Sequence, residues 1–330
     1  MPNKSKIIVV LGPTATGKSD LAVKIARKYN GEVISSDSRQ VYKGLDIGTG
    51  KITKKEKRGV VHHMLDVVSP AKTFSVAEWQ EKTGKIIGDI IRRGKVPIIC
   101  GGTGFYIQSI VEGLVLPEVP PNKVLRKKLK KKSLEELQKI LAKLDPRRFP
   151  DIAKEQGSKN PVRLIRAIEI ATEIGKVPPL VREPLDSARG KNSYEFLQIG
   201  LKLPEKELKK KIHQRLISRM KKGMVKEATD LHKNGLSWKR MRELGLEYRY
   251  LAYFLEKKII YPEQSRGTKK EFIQKLEAEI WQYTKRQMTW FKRPARLASQ
   301  SDAGGDKKIK WFNPSQYKAI EKEVARFIKK

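Results

Sequence analysis

A chain of 330 residues can bury a substantial core, as one large domain or one and a half. Its formal charge of +36, from 72 Lys and Arg against 36 Asp and Glu, points to a polyanionic partner, with nucleic acid first and a Lys-favouring composition as the plain alternative. The one cysteine, Cys100, excludes a disulfide framework, a Cys-rich zinc site and an iron–sulfur cluster.

The first segment reads as a β-α-β series. Lys6–Leu11 is a short β-branched run, Ser19–Tyr29 sets Leu21, Ala22, Ile25 and Ala26 at helical spacing, and Glu32–Ser36 is a second strand. The run Ile7–Leu11 is too short for a signal-peptide core, and no later stretch nears the roughly 20 apolar residues of a membrane span. A soluble cytoplasmic protein is expected. Val76, Trp79, Thr83, Ile86, Ile87, Ile90 and Ile91 keep one helical face apolar up to Gly94, and Val96–Cys100 follows as a buried strand ending in Gly101 and Gly102. Strands alternating with helices imply a parallel sheet that binds ligands at its C-terminal edge.

Past Leu116 the pattern changes. Pro117, Pro120 and Pro121 break the chain, and Lys123–Lys132 carries seven basic residues in ten. From there to about Pro184 the chain reads as helical and strand-poor. Gln198–Leu203 resumes a strand, and Leu208, Ile212, Leu216 and Met220 then step by four along a long helix expected to end near Gly235. Phe272, Leu276, Ile280, Tyr283 and Trp290 mark another helix. Asp302–Asp306 is a Gly-containing linker, and Lys308–Phe312 a last strand before a terminal helix.

Three segments carry chemistry. Gly12, Pro13, Thr14, Ala15, Thr16, Gly17, Lys18 and Ser19 fit G-x-x-x-x-G-K-[ST] between a predicted strand and a predicted helix, the context of a phosphate-cradling P-loop. Its backbone N–H groups and helix N-terminus face a di- or triphosphate, Lys18 supplies a cation, and Ser19 can ligate magnesium. Asp37, just past the second strand, is on the same sheet edge, where an acid can serve as general base or hold magnesium; a turn or N-cap Asp is the alternative. Gly101–Tyr106, GGTGFY, ends a third strand at that edge and allows either close approach of a ligand or merely a tight turn.

Other features weigh against competing chemistries. There is no aspartate-rich metal pair, no H-E-x-x-H and no G-x-G-x-x-G after the first strand, which removes terpene-type, metalloprotease and dinucleotide readings. His62 and His63 lack the spacing of a metal pair and read as structural. Trp290 and Phe291, beside Lys285, Arg286, Lys292 and Arg293, either stack on bases or cap the core. The expected fold class is α/β, a P-loop NTPase-like parallel-sheet core of residues 1–116 and 196–330 with an inserted helical domain over 117–195.

GPTATGKS, DSRQVYKGLDIGT, HHMLDV, GGTGFYI, NPVRLIRAIEI and YTKRQMTWF, in this order from about Ile7 to Arg293, resemble the bacterial tRNA dimethylallyltransferase family. The resemblance implies a P-loop core whose helical insertion clasps the tRNA anticodon stem-loop. The implied reaction moves a dimethylallyl group from dimethylallyl diphosphate to the exocyclic amine of the adenosine 3′ of the anticodon, in tRNAs reading codons that start with U. By position, Gly12–Ser19 would cradle the diphosphate, Asp37 would be the general base, and Lys18 and Arg215 would complete the catalytic set with magnesium. Asp37, Ser38, Arg39 and Gln40, with Thr103, Arg126 and the run Val162, Arg163, Leu164, Ile165, Arg166, would contact tRNA. A monomer is expected. Two departures stand out: LGLEY, Leu244–Tyr248, where the family usually has I-G-Y-K-E, and Lys211 where an arginine is expected one turn before Arg215. The competing readings are a P-loop small-molecule kinase, an adenylate isopentenyltransferase, and a non-catalytic RNA-binding module.

Overall fold

Alternate residues of strand β1, Ser5–Leu11, enter opposite hydrophobic layers: Ile7, Val9 and Leu11 on one side, Ile8 and Val10 on the other. A strand buried on both faces needs helices above and below it. The computed structural model, which describes residues 5–147, 149–154, 159–179, 181–182, 194–260, 269–292 and 309–329, supplies them.

In chain order, β1 leads through the P-loop into α1, Lys18–Lys28, and back to β2, Gly31–Ser36. The short α2, Lys54–Lys57, is held by a Thr53–Glu56 capping box and precedes β3, His62–His63. A second capping box, Ser75 with Glu78, starts α3, Val76–Arg92, which leads to β4, Val96–Gly101, and α4, Gly104–Val111. Residues 114–183 form a separate compact unit. It contains α5, Lys123–Leu129, α6, Leu134–Leu144, α7, Phe149–Lys154, and α8, Pro161–Ile174, packed about Leu129, Leu137, Leu141, Leu164 and Ile168. Helix α8 starts on an Asn160 cap with Pro161 in its first turn and stops at left-handed Gly175.

The chain then re-enters the larger unit, residues 1–113 and 184–330, with β5, Tyr194–Leu201, and α9, Glu205–Lys221. There follow α10, Met224–Lys233, α11, Trp238–Glu243, α12, Leu246–Ile260, α13, Lys269–Lys292, β6, Lys310–Phe312, and α14, Tyr317–Lys329. The sheet runs β3-β2-β4-β1-β5-β6 with every neighbouring pair parallel. Helices α3, α4 and α9 to α13 cover one face, and α1 and α14 the other.

Sequence expectations shift in three places. Strand β5 begins at Tyr194 rather than Gln198, because its whole length pairs with β1 despite the polar Glu195. The long helix expected to reach Gly235 is two helices: left-handed Gly223 separates α9 from α10, although Met224 and Ala228 continue the four-residue spacing across the break and are buried in the same layer. Tyr283 is outside the buried stripe of α13, which runs Phe272, Leu276, Ile280, Thr284, Gln287, Phe291. Pro184, Arg293, the linker Asp302–Asp306 and Lys308 lie outside the described residues.

Candidate active site

Because β1, β2 and β4 are adjacent and parallel, the segments that follow them emerge at one edge: the P-loop, the Asp37 turn and the Gly102–Thr103 turn. Within the P-loop, Ala15 and Gly17 take left-handed backbone angles, φ 63 and 86, around Thr16, the alternation that makes an anion-binding nest. Among the described residues, the N–H groups of Ala15, Thr16, Gly17, Lys18 and Ser19 donate to no protein acceptor. Thr16 Oγ1 donates to Pro13 O at 2.9 Å, which tightens the loop on itself.

Two cations converge there. Lys18 Nζ donates to Pro13 O at 2.5 Å, and desolvation, with the Arg215 charge adding to it, lowers the Lys18 pKa to about 8 against the opposing pull of Cys100 and Asp37. Arg215 reaches across from α9, donating from Nη1 to Thr14 Oγ1 at 3.0 Å and from Nη2 to Gly50 O at 3.4 Å. Burial and the neighbouring Arg219 bring its pKa down to about 10, so it stays a cation at neutral pH. The Cys100 thiol beneath the loop is pushed up to about 12 by burial and is neutral.

Asp37 lies within the electrostatic reach of both cations. Its Oδ1 accepts from Arg39 N at 2.8 Å and Gln40 N at 3.4 Å, so Asp37 organises its own turn. Ser38 N donates to Thr103 Oγ1 at 3.0 Å, which ties that turn to the end of β4. The Ser35 hydroxyl donates to Gln40 Oε1 at 3.5 Å, and Arg39 donates to Glu243 O at 3.3 Å. P-loop, Asp37, Ser38, Gln40, Thr103 and Arg215 are therefore one constellation.

Close approach at GGTGFY is real, yet the approaching group is protein. A Cβ at Gly102 would strike Gln287 Nε2, and one at Gly104 would strike the Trp290 ring. Trp290 is partly buried against the core and meets Phe105 edge-on at 6.1 Å. His63 meets the buried Glu32 at 2.7 Å near the start of β2, at the opposite end from Asp37, together with Arg93 and Lys95. His62 Nδ1 meets Val60 O at 2.9 Å, so both histidines sit on the β3 edge away from the P-loop segments.

In the smaller unit, Arg126 donates from Nε and Nη2 to the buried Glu169 at 2.6 Å each, and Arg166 donates to Val119 O at 2.8 Å and to Glu169 at 3.4 Å. Burial pushes the Glu169 carboxyl up, but the Arg126 contact and the Asn122 N–H outweigh it and hold it below the usual range. Leu164 and Ile165, expected to contact tRNA, are buried in the α8 core because they occupy the helix's inward face; Val162 and Arg163 are exposed at its start.

Several residues of the site escape sequence reasoning. Loop 46–50 is gripped from both sides: Glu227 accepts the N–H groups of Asp46, Ile47 and Gly48 at 2.7–3.0 Å, and Arg219 donates to the carbonyls of Gly48 and Thr49 at 3.1 and 3.0 Å. The altered LGLEY segment supplies the outer partners. Glu247 pairs with Arg219 at 3.2 Å, and the Tyr248 hydroxyl donates to Glu227 at 2.5 Å. The glycines of DIGTG were the signal, since Cβ atoms at Gly48 and Gly50 would strike Tyr248 and the two arginines.

Magnesium fits this donor set in one way. No cluster of three or more His, Cys, Asp or Glu side chains able to hold a metal exists among the described residues. The protein offers isolated hard oxygens, the Ser19 hydroxyl at the first turn of α1, beside the Cys100 thiol, and the Asp37 carboxylate, which suits an ion that takes most of its ligands from substrate phosphates and water.

The family model described as IPP transferase matches residues 40–294, and one described as Isopentenyl transferase matches residues 5–70. The tRNA dimethylallyltransferase 2 of Treponema denticola is 42% identical over 293 residues, 89% of this chain and 93% of that protein. The tRNA dimethylallyltransferase 1 of Syntrophus aciditrophicus is 37% identical over 96% of this chain and 97% of its own length. Among solved structures, the tRNA isopentenylpyrophosphate transferase of Bacillus halodurans superposes with a TM-score of 0.66 at 29% identity, covering 99% of this chain and 97% of that one. A eukaryotic dimethylallyltransferase acting on tRNA gives a TM-score of 0.71 at 25% identity, over 98% of this chain and 78% of that one.

Proposed function

This chain belongs to the IPP transferase family, and from that premise we propose that it is a tRNA dimethylallyltransferase whose P-loop holds an allylic diphosphate instead of a nucleotide triphosphate. The acceptor is the exocyclic amine of the adenosine 3′ of the anticodon, in tRNAs reading codons that start with U. The observation that carries the reading is the convergence of Lys18, Arg215 and Asp37 at one sheet edge beside loop amides with no protein acceptor.

An adenine amine is a poor nucleophile because its lone pair is delocalised into the ring. Asp37, fixed by its Arg39 and Gln40 bonds, takes the amine proton as nitrogen attacks the allylic carbon. As the carbon–oxygen bond breaks, negative charge grows on the departing diphosphate. The amides of Ala15 to Ser19, the Lys18 ammonium and the Arg215 guanidinium would receive it, a role their convergence on the P-loop supports. Ser19 would hold magnesium, which when bound would supply further positive charge against the same developing negative charge. Ser38 and Thr103, joined by the Ser38 N–H bond to Thr103 Oγ1, lie beside Asp37, where a flipped adenine would rest.

The exposed Val162 and Arg163 and the basic run after Asn122 supply RNA contacts from the smaller unit. No helix among the described residues is long and apolar enough to cross a membrane, and we take the enzyme to act on tRNA in the cytoplasm, as a monomer. The test is to incubate the protein with magnesium and labelled dimethylallyl diphosphate, offering tRNA, AMP or no acceptor. Label in tRNA is the expected result. Label in AMP alone would establish an adenylate isopentenyltransferase, and phosphate transfer from ATP to a small acceptor, with no prenylation, a kinase.

A further inference from the structure

We propose that Gln287 is a positioning residue of the donor site, a support from α13 that sets the geometry of the P-loop; this rests on reading that loop as a diphosphate cradle. Two buried polar side chains interrupt the apolar stripe of α13. Thr284 satisfies its hydroxyl within the helix, donating to Ile280 O at 2.8 Å. Gln287 sends both ends of its carboxamide elsewhere. Its Oε1 accepts from Thr14 N at 3.0 Å, and its Nε2 donates to Gly102 O at 2.9 Å. One partner can only donate and the other only accept, so the orientation of the amide is dictated and a flipped carboxamide would lose both bonds.

The side chain thus joins α13, the loop after β1 and the turn after β4. In the P-loop it occupies the Thr14 N–H alone, just before left-handed Ala15, where the nest begins. The amides of Ala15 to Ser19 are left for an anion. Thr14 is meanwhile held through its hydroxyl by Arg215, so its two polar groups are fixed from α13 and α9. The absence of a side chain at Gly102 is part of the same arrangement, because Nε2 fills the place a Cβ would take. Helix propensity or packing alone would favour a leucine at 287, as at Leu276 and Ile280 on the same stripe.

The experiment compares Gln287→Leu with Thr284→Val, a change at the neighbouring buried polar position whose bond stays inside the helix. Pyrophosphate with magnesium is the probe, titrated calorimetrically into the full chain, alongside steady-state kinetics with donor and tRNA. Gln287→Leu should weaken pyrophosphate and raise the donor KM by about tenfold, the order expected when a backbone N–H loses its acceptor. Its kcat at saturating donor and its tRNA KM should stay within about threefold of wild type. Thr284→Val should lower the melting temperature without moving pyrophosphate affinity. Should Gln287→Leu not fold, Gln287→Glu carries the test, since it keeps an acceptor for Thr14 but sets an oxygen against the Gly102 carbonyl, and the same weakening is expected. Pyrophosphate affinity unchanged in the Gln287 variants, or lost equally in Thr284→Val, would overturn the proposal. Wild-type protein whose pyrophosphate affinity depends on Gln287 but that prenylates no tRNA would instead sink the reading of function.

Discussion

One carboxylate oxygen of Asp37 builds the turn, and an asparagine retains that oxygen. Asp37→Asn should therefore preserve the bonds to Arg39 and Gln40 while removing the group that takes the proton. Turnover is expected to fall by about 10²–10⁴-fold, the usual contribution of a general base, with tRNA affinity nearly unchanged. Single-turnover assays beside tRNA titrations check both halves, and turnover close to wild type would remove Asp37 from the mechanism. Lys18 offers a pH signature. Its pKa is lowered to about 8, so in the free enzyme the cation predominates below that pH and is lost above it. Pyrophosphate affinity should accordingly decline as pH rises through about 8, and Lys18→Met should bind weakly with that step abolished. Arg215, lowered only to about 10, contributes no step in this window.

Loop 46–50 is the element that places Arg215, and its glycines are where that can be tested. Gly50 has φ +61, and a Cβ there would meet the guanidinium groups of Arg219 and Arg215. Gly94 has φ +68 with nothing within 4 Å of the added atom. Both alanine variants should lose about 1–2 kcal/mol from the left-handed backbone, as melting curves would register. Only Gly50→Ala should also lower kcat, because Arg215 must yield. Equal activities of the two variants would show that the loop does not position Arg215. The contrast also marks what the sequence could and could not reveal. The P-loop, the Asp37 turn and GGTGFY are local signals, each read from contiguous residues after a strand. The Gln287 bond to Thr14 joins positions 273 apart, and the Glu227 and Arg219 grips span α9, α10 and the loop; no periodicity encodes them. Four-residue spacing found the buried face of α9 but ran past Gly223, since a single left-handed glycine ends a helix without disturbing the pattern before it.

Net charge of +36 describes the whole molecule without saying which cations meet phosphate. Ion pairing within the fold divides the basic run of the smaller unit. Arg126 is committed to buried Glu169, and Lys132 pairs with Glu136 at 2.6 Å. Lys127, Lys128, Lys130 and Lys131 are exposed, and no carboxylate among the described residues pairs with them. Each phosphate met by a cation releases counterions, so log affinity falls with log salt by about 0.7–0.9 per phosphate. Changing those four lysines to glutamine should therefore weaken tRNA binding and flatten its salt dependence by about that much for every phosphate they neutralise, with little effect on melting. Arg126→Gln should do the reverse, lowering stability because the buried Glu169 keeps only the Asn122 N–H and its longer ion pair with Arg166, while the salt slope moves less. Titrations at several salt concentrations separate the two. A slope untouched by the four-lysine variant would mean that these charges are solvated surface, and the grip on tRNA would then have to come from other exposed cations such as Arg163, Lys285 and Arg286.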